Sequence, residues 1–364
     1  MMLDHPVSGD GITTEYVNRI LEESGKDFHV SAVRVTSEKT YGQQMVSTAG
    51  RALIEVDYAP GAPAGLPTQL VVKLARGVDE IMAPFYRNEV AFYGRLRPEL
   101  DLEVPQTLGG HFNPETKRFA ILLEDLSVRG ARFPNALVPV TLDEVRSILD
   151  SHAALHAQYW DSPRLKGDLD WIGTHTTGVI AEMQNIGATP FIQYEIDNQK
   201  FKTELVGALG SSGPELHAGM LALHRHHQTL PQTVLHGDSH IGNTYLTPQG
   251  KGGLLDWQLM VRGHHTHDVN YLITTALTIE QRRNHERELF AYYLDRLAAG
   301  GVTGLPAFEQ SWLEFRRNLA WGLYYGWLTT PVLNYGWEIN IVNHLRLYTA
   351  YQDHETGKLI KELM

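Results

Sequence analysis

The sequence predicts an α+β protein of two unequal lobes. A small antiparallel sheet with one main helix occupies residues 1–125, and a larger, mostly helical lobe occupies residues 126–364. Three observations predict this. Short strand-like segments separated by turn signals crowd the first third. From residue 141 onward, apolar residues recur at helical spacing. That helical run is interrupted once, at 233–259, by a small strand pair: two short apolar segments that flank a polar cluster. A chain of 364 residues is also long for a single compact core, so two domains are the natural expectation.

Taken in order, residues 13–24 read as a short amphipathic helix, with Thr13 or Thr14 as N-cap and Gly25 ending it. Strands are expected at 29–36, 45–58 and 69–74. Tyr41-Gly42 signals a turn after the first strand, and the Pro/Gly-rich run APGAPAGLP forms a surface loop after the second. Lys73 interrupts the apolar run of the third strand. It is either a snorkelling lysine or a cation aimed at phosphates. The helix at 84–96 follows, its apolar positions Phe85, Val90, Phe92, Tyr93 and Leu96 near helical period, and it carries Glu89. Strands at 106–111 and 118–123, joined by the turn FNPETK, complete the sheet. The run LLEDL (122–126) closes the lobe, and 127–138 reads as a loop.

In the second lobe, Thr141 to Glu144 matches a capping box that opens a helix. Its apolar face includes His152, Leu155 and Tyr159. His152 and His156 lie one turn apart, which suits a metal but more simply a satisfied core pair. Residues 161–200 carry no clear pattern: DSPRLKGDLDW (161–171) reads as loop-like and 179–184 as a helical piece. Residues 215–229 are helical, with the HRHHQ run as a solvated end. Helices are expected at 280–299, 306–329 and 336–354, punctuated by Gly300-Gly301 and Pro331.

Composition narrows the function. The net charge is −11, so there is no basic footprint for nucleic acid or an anionic membrane surface. The absence of cysteine excludes disulfides and thiolate chemistry. No apolar run approaches the ~20 residues of a membrane span, and the N-terminus lacks the pattern of a signal peptide, so the expected compartment is the cytoplasm.

The chemistry concentrates in VLHGDSHIGNTYLTPQGKGGLLDWQL (234–259), where Asp238, Asn243 and Asp256 sit at or near strand ends. Loops on rigid supports are where binding and catalytic groups collect. Phosphoryl transfer asks the protein for a carboxylate that orients a hydroxyl and takes its proton. It also asks for oxygen ligands to Mg²⁺ and for a cation on the phosphates. Asp238 suits the first task, Asn243 and Asp256 the second, and Lys73 held by Glu89 the third.

These residues resemble the aminoglycoside phosphotransferase and choline kinase group of the protein-kinase-like fold. LLEDL, the LHAQYW helix and HGDSHIGN…LLDWQ are most similar to its ecdysteroid-kinase-like branch. The resemblance spans residues 35–350 and implies ATP (or GTP) and Mg²⁺. It makes 236–243 the catalytic loop, in which we read His236 as an anchor of the loop rather than a proton carrier. It also makes Asp256 the metal aspartate, Lys73 and Glu89 the phosphate-binding pair, and Asp268 the brace of the loop. Backbone groups near Glu124 and Leu126 would meet the adenine. One departure stands out: the phosphate-covering loop at 40–49 has a single glycine and no GxGxxG, leaving Ser47 as the candidate contact.

The expected partner is a small-molecule hydroxyl acceptor. The segment after Asp256 carries neither DFG nor an APE-like element, which argues against a protein substrate. The aromatic residues Trp312, Trp321, Tyr324, Tyr325, Trp327, Tyr335 and Trp337 are either helix core or the wall of an apolar acceptor pocket. Two other readings compete. A metal-dependent hydrolase would use His236, Asp238 and His240 together with the His264–Asp268 cluster. A non-catalytic nucleotide-binding pseudokinase would be expected to lack one of Lys73, Asp238, Asn243 and Asp256, and all four are present.

Overall fold

A computed structural model describes residues 3–39, 49–76, 80 and 82–364. The chain forms two compact units. Met1–Arg132 and the short segment Leu255–Gln258 make the first; Phe133–Leu254 and Leu259–Met364 make the second. The division along the chain thus falls between Arg132 and Phe133, past the 125/126 boundary read from sequence.

In the first unit, helix α1 (Thr14–Glu23) is capped by Thr13, whose hydroxyl accepts from Tyr16 N–H. It buries Tyr16, Val17, Ile20 and Leu21. Gly25, at φ +69, ends it. Five strands follow: β1 (Val30–Lys39), β2 (Ala49–Tyr58), β3 (Gln69–Ala75), β4 (Thr107–Asn113) and β5 (Arg118–Glu124). They form one antiparallel sheet in the order β1-β2-β3-β5-β4. The described part of β2 begins at Ala49; the expected strand start at 45, the 41–42 turn and Ser47 lie outside the described residues. Asn113 Oδ1 accepts from Glu115 and Thr116 N–H and shapes the β4–β5 turn.

Period-two alternation decides which side chains go where. Leu70, Val72 and Leu74 of β3 and Ala120 and Leu122 of β5 join α1 in one core. Lys73, Phe119 and Ile121 therefore take the opposite face. There α2 (Ala83–Ala91) lies, with Tyr86 stacked on Phe119 at 4.3 Å. The helix read as 84–96 changes character after Ala91, where Phe92–Leu96 continues as a wider π turn.

In the second unit, α3 (Leu142–Tyr159) starts with the capping box: Thr141 N–H donates to Glu144 and Glu144 N–H to Thr141 Oγ1. Short helices α4 (Val179–Glu182), α5 (Ala188–Asn198) and α6 (Lys200–Ala208) precede α7 (Gly213–His227). The stretch 185–200, which the sequence leaves ambiguous, is therefore largely helical. Its buried side chains, Ile192, Glu195 and Ile196, are too few and too widely spaced to give a strong periodic signal.

Four three-residue strands follow: β6 (Thr233–Leu235), β7 (Thr244–Leu246), β8 (Gly252–Leu254) and β9 (Val261–Gly263). The two apolar segments that read as one strand pair do not pair with each other. β6 pairs with β9, and β7 with β8, because the turn at Thr247–Gly250 closes its own hairpin. Strand β8 lies directly on α3. A Cβ at Gly252 would sit 2.6 Å from Ile148 N, so only glycine fits there.

The helices α8 (Thr266–Ala276), α9 (Ile279–Ala299), α10 (Phe308–Trp321), α11 (Val332–Tyr335), α12 (Trp337–Asp353) and α13 (Thr356–Lys361) complete the unit. A π-helical stretch, Gly322–Leu328, extends α10. Among the described residues, no helix is long and apolar enough to cross a membrane.

The aromatic run resolves in part into core. Trp321, Tyr324, Tyr325 and Trp327 belong to one buried cluster with Met220, Leu223 and Leu347, and Trp312 is buried as well. Tyr335 and Trp337 are exposed. The HRHHQ run is not a solvated end. His224 and His227 are buried, His224 ring-stacked on His175 and His227 beside His264. A helical face of histidines packs like a face of aromatics once the rings are neutral.

Candidate functional site

Each unit carries part of the candidate chemistry. In the first, β3 holds Lys73 and α2 holds Glu89, with relative exposures of only 4% and 1%. Lys73 Nζ donates to both Glu89 oxygens, at 2.9 and 2.6 Å. It also donates to Asp256 Oδ1 at 3.1 Å. Burial pushes the Glu89 carboxyl above its ordinary range, and the Lys73 charge pulls the other way.

Taking an ion pair out of water costs several kcal/mol per ion, so such a pair says little for stability. Asp256 is partly exposed and adopts φ +62, a left-handed conformation that costs a non-glycine residue about 1 kcal/mol or more. The residues after it are fastened to α2. Trp257 stacks on Phe92 with ring centroids 3.6 Å apart, and Gln258 O accepts from Asn88 Nδ2.

At the end of β5, Glu124 accepts from Gln106 N–H and Arg129, while its own N–H donates to Gln106 O. The Leu126 carbonyl accepts from the Arg129 and Ala131 N–H groups. The Glu124 side chain therefore fixes the turn.

In the second unit, the loop after β6 is built around a buried aspartate. Asp268, at the start of α8 and with no exposed surface, accepts through Oδ2 from His236 N–H at 2.7 Å. Its Oδ1 accepts from Gly237 N–H at 2.9 Å and Ser239 Oγ at 3.2 Å. His156 Nε2 lies 3.1 Å from Oδ2, and its Nδ1 is 2.7 Å from Tyr293 OH. Burial alone would raise the Asp268 carboxyl, but the facing imidazoles, His156 in hydrogen-bond contact and His152 at 3.6 Å, hold it well below the usual carboxylate range.

Gly237 takes φ +84, and a Cβ there would lie 2.0 Å from Leu259 O. Only glycine permits that approach. His236 Nδ1 accepts from Asp238 N–H and His240 Nδ1 from Gly242 N–H, so both imidazoles set the course of the loop. Asn243 Nδ2 donates to Asp238 O at 2.8 Å and to Asp238 Oδ2 at 3.0 Å. The bracing residues His236, Ser239 and Asp268 are buried, whereas Asp238 and Asn243 are partly exposed.

The histidine clusters do not assemble as a hydrolase would need. His264 Nδ1 pairs with Thr266, His265 packs between Trp160 and Tyr293, and His267 Nε2 pairs with Gly237 O. Burial drives His264 and His265 well below their ordinary value, and His267 below it. Among the described residues, the one group of three that brings ligand atoms together is His152, His156 and Asp268. Its carboxylate is already occupied by the loop. The sequence reading passed over Gln258, Asn88 and Ser239, whose partners lie far away in the chain and leave no local pattern.

Comparison with known proteins agrees with this architecture. The model of the ecdysteroid kinase-like family matches residues 68–300. A choline kinase from Streptococcus pneumoniae is 12% identical, with 88% of this chain and 94% of that one covered at a TM-score of 0.51. A choline kinase from Cryptosporidium parvum Iowa II is 8% identical, covering 91% of each chain at a TM-score of 0.54. An ethanolamine kinase from Plasmodium vivax is 8% identical, covering 88% of this chain and 83% of that one at a TM-score of 0.54. At such identities the likeness is one of fold, the α+β protein-kinase-like one. No curated protein matches the sequence.

Proposed function

The chain belongs to the ecdysteroid kinase-like family, and from that premise we propose that it is a small-molecule kinase, moving the γ-phosphate of ATP or GTP to a hydroxyl of a small acceptor. One observation carries the reading: a buried lysine, Lys73, sits between Glu89 and the metal-suited Asp256. A hydrolase or a plain binding module has no use for that costly arrangement. A phosphotransferase needs a cation whose position is fixed before the nucleotide arrives.

In this reading Lys73 meets the α- and β-phosphates, and Glu89 keeps its ammonium aimed. Asp238 orients the acceptor hydroxyl and takes its proton as the oxygen attacks. Asn243, whose amide nitrogen is spent on Asp238, holds that carboxylate in place. The turn at Glu124 and Leu126 faces the base, and Ser47 remains the proposed contact from the phosphate-covering loop. His236 shapes the loop and carries no proton.

The donor set suits a hard divalent cation: Asp256 offers a partly exposed carboxylate, and Asn243 an amide oxygen opposite its bonded nitrogen. Those two residues would hold Mg²⁺, which when bound neutralises charge on the transferring phosphoryl group.

The test is an ATP- and GTP-consumption screen over hydroxylated metabolites, antibiotics and sterols. Acceptor-dependent, Mg²⁺-dependent consumption is the expected result. Stoichiometric zinc or iron in the pure protein, with no nucleotide consumption, would favour the hydrolase instead.

A further inference from the structure

We infer that Gln258 is a positioning residue for the nucleotide site, acting through Glu89; the inference rests on the kinase reading above. Its Nε2 donates to Glu89 Oε2 at 3.3 Å, and its side chain is buried. The same Oε2 is the atom 2.6 Å from Lys73 Nζ. Three consecutive residues thus grip the lysine and the helix behind it. Asp256 bonds Lys73, Trp257 stacks on Phe92, and Gln258 bonds Glu89 through its side chain and Asn88 through its carbonyl. On α2 and its continuation, the gripped residues are neighbours at 88, 89 and 92, one face of the turn.

The chemistry explains why an amide stands here. With nucleotide and Mg²⁺ bound, Lys73 would share its donors with phosphate oxygens, and Asp256 would serve as a metal ligand. Glu89 then loses part of the charge that holds it in place. A buried carboxylate needs a remaining donor. A second cation at 258 would compete with Lys73 for the carboxylate. An acid would repel it. A neutral amide supplies the donor without either effect, and its backbone anchor on Asn88 keeps it within reach.

The test compares Gln258→Met and Gln258→Glu with wild type by calorimetric titration of Mg²⁺ with ATP, and with GTP in parallel. Gln258→Met keeps length and removes the donor. A hydrogen bond to a charged group corresponds to roughly a tenfold to hundredfold change in an equilibrium constant. Nucleotide binding should weaken by about that factor in Gln258→Met. Gln258→Glu keeps the shape, removes the donor and sets a second acid against Glu89, so it should weaken binding at least as much.

In a Glu89→Gln background, Gln258→Met should cost no further affinity, a non-additivity that a packing role alone would not produce. Binding by both variants within about twofold of wild type overturns the inference while leaving the kinase reading intact. Failure of the wild type to bind any nucleotide overturns both.

Discussion

Substituting asparagine for Asp268 removes one acceptor oxygen from the centre of the loop brace. The carboxylate takes two backbone N–H groups, from His236 and Gly237, and also faces Ser239 Oγ and His156 Nε2. An amide keeps one oxygen and turns an NH₂ toward the other pair. The hydroxyl or the imidazole on that side can reverse and accept, but a backbone N–H cannot. One buried N–H is therefore orphaned, at about 1–3 kcal/mol. The bonds that survive lose their charge assistance, about 1 kcal/mol more.

The sum, about 3 kcal/mol, corresponds to a fall in melting temperature of roughly 6–12 °C for a unit of this size. Thermal unfolding followed by circular dichroism measures it. A shift below about 2 °C would mean that Asp268 does not hold the loop, and the account of His236 to Asn243 would lose its foundation.

Two further outcomes follow from the same geometry. Gly237→Ala forces a methyl against Leu259 O at a left-handed φ and should destabilise by about 3 kcal/mol, read from denaturant midpoints; a neutral result would contradict the stated loop course. Acidification should also destabilise. Burial holds His175, His224, His264 and His265 well below the ordinary imidazole value. Below about pH 6.5 the unfolded chain therefore binds protons that the folded chain refuses. Each such group removes up to about 1.4 kcal/mol per pH unit until its folded value is reached. Melting temperatures should be nearly level above pH 7 and drop steeply from about pH 6.5 to 5, and a flat profile there would show that these rings are charged or solvated.

What the sequence could reveal depended on how local each signal was. Thr141 and Glu144 are three residues apart, and their reciprocal bonds were readable as such. Lys73 stood out because a charge broke a continuous apolar run, and period two sets which face of β3 it takes. Asp256 bonds that lysine across 183 residues, and Gln258 bonds Glu89 across 169; no window along the chain contains both partners. The pairing of β6 with β9 was missed for a related reason. Three-residue strands carry too few side chains to declare a partner. The histidines of α7 were misread as solvated because imidazole is polar by composition. Neutral and stacked, His224 behaves as an aromatic core residue.

The central claim is that Asp238 takes the proton of an acceptor hydroxyl. Its most direct test is the rate of phosphate transfer by Asp238→Asn, measured beside its affinity for Mg²⁺ and nucleotide. The account predicts a fall in transfer of about a hundredfold or more with affinity nearly unchanged, the size expected for a positioned acid–base group. Transfer at the wild-type rate in that variant would contradict it.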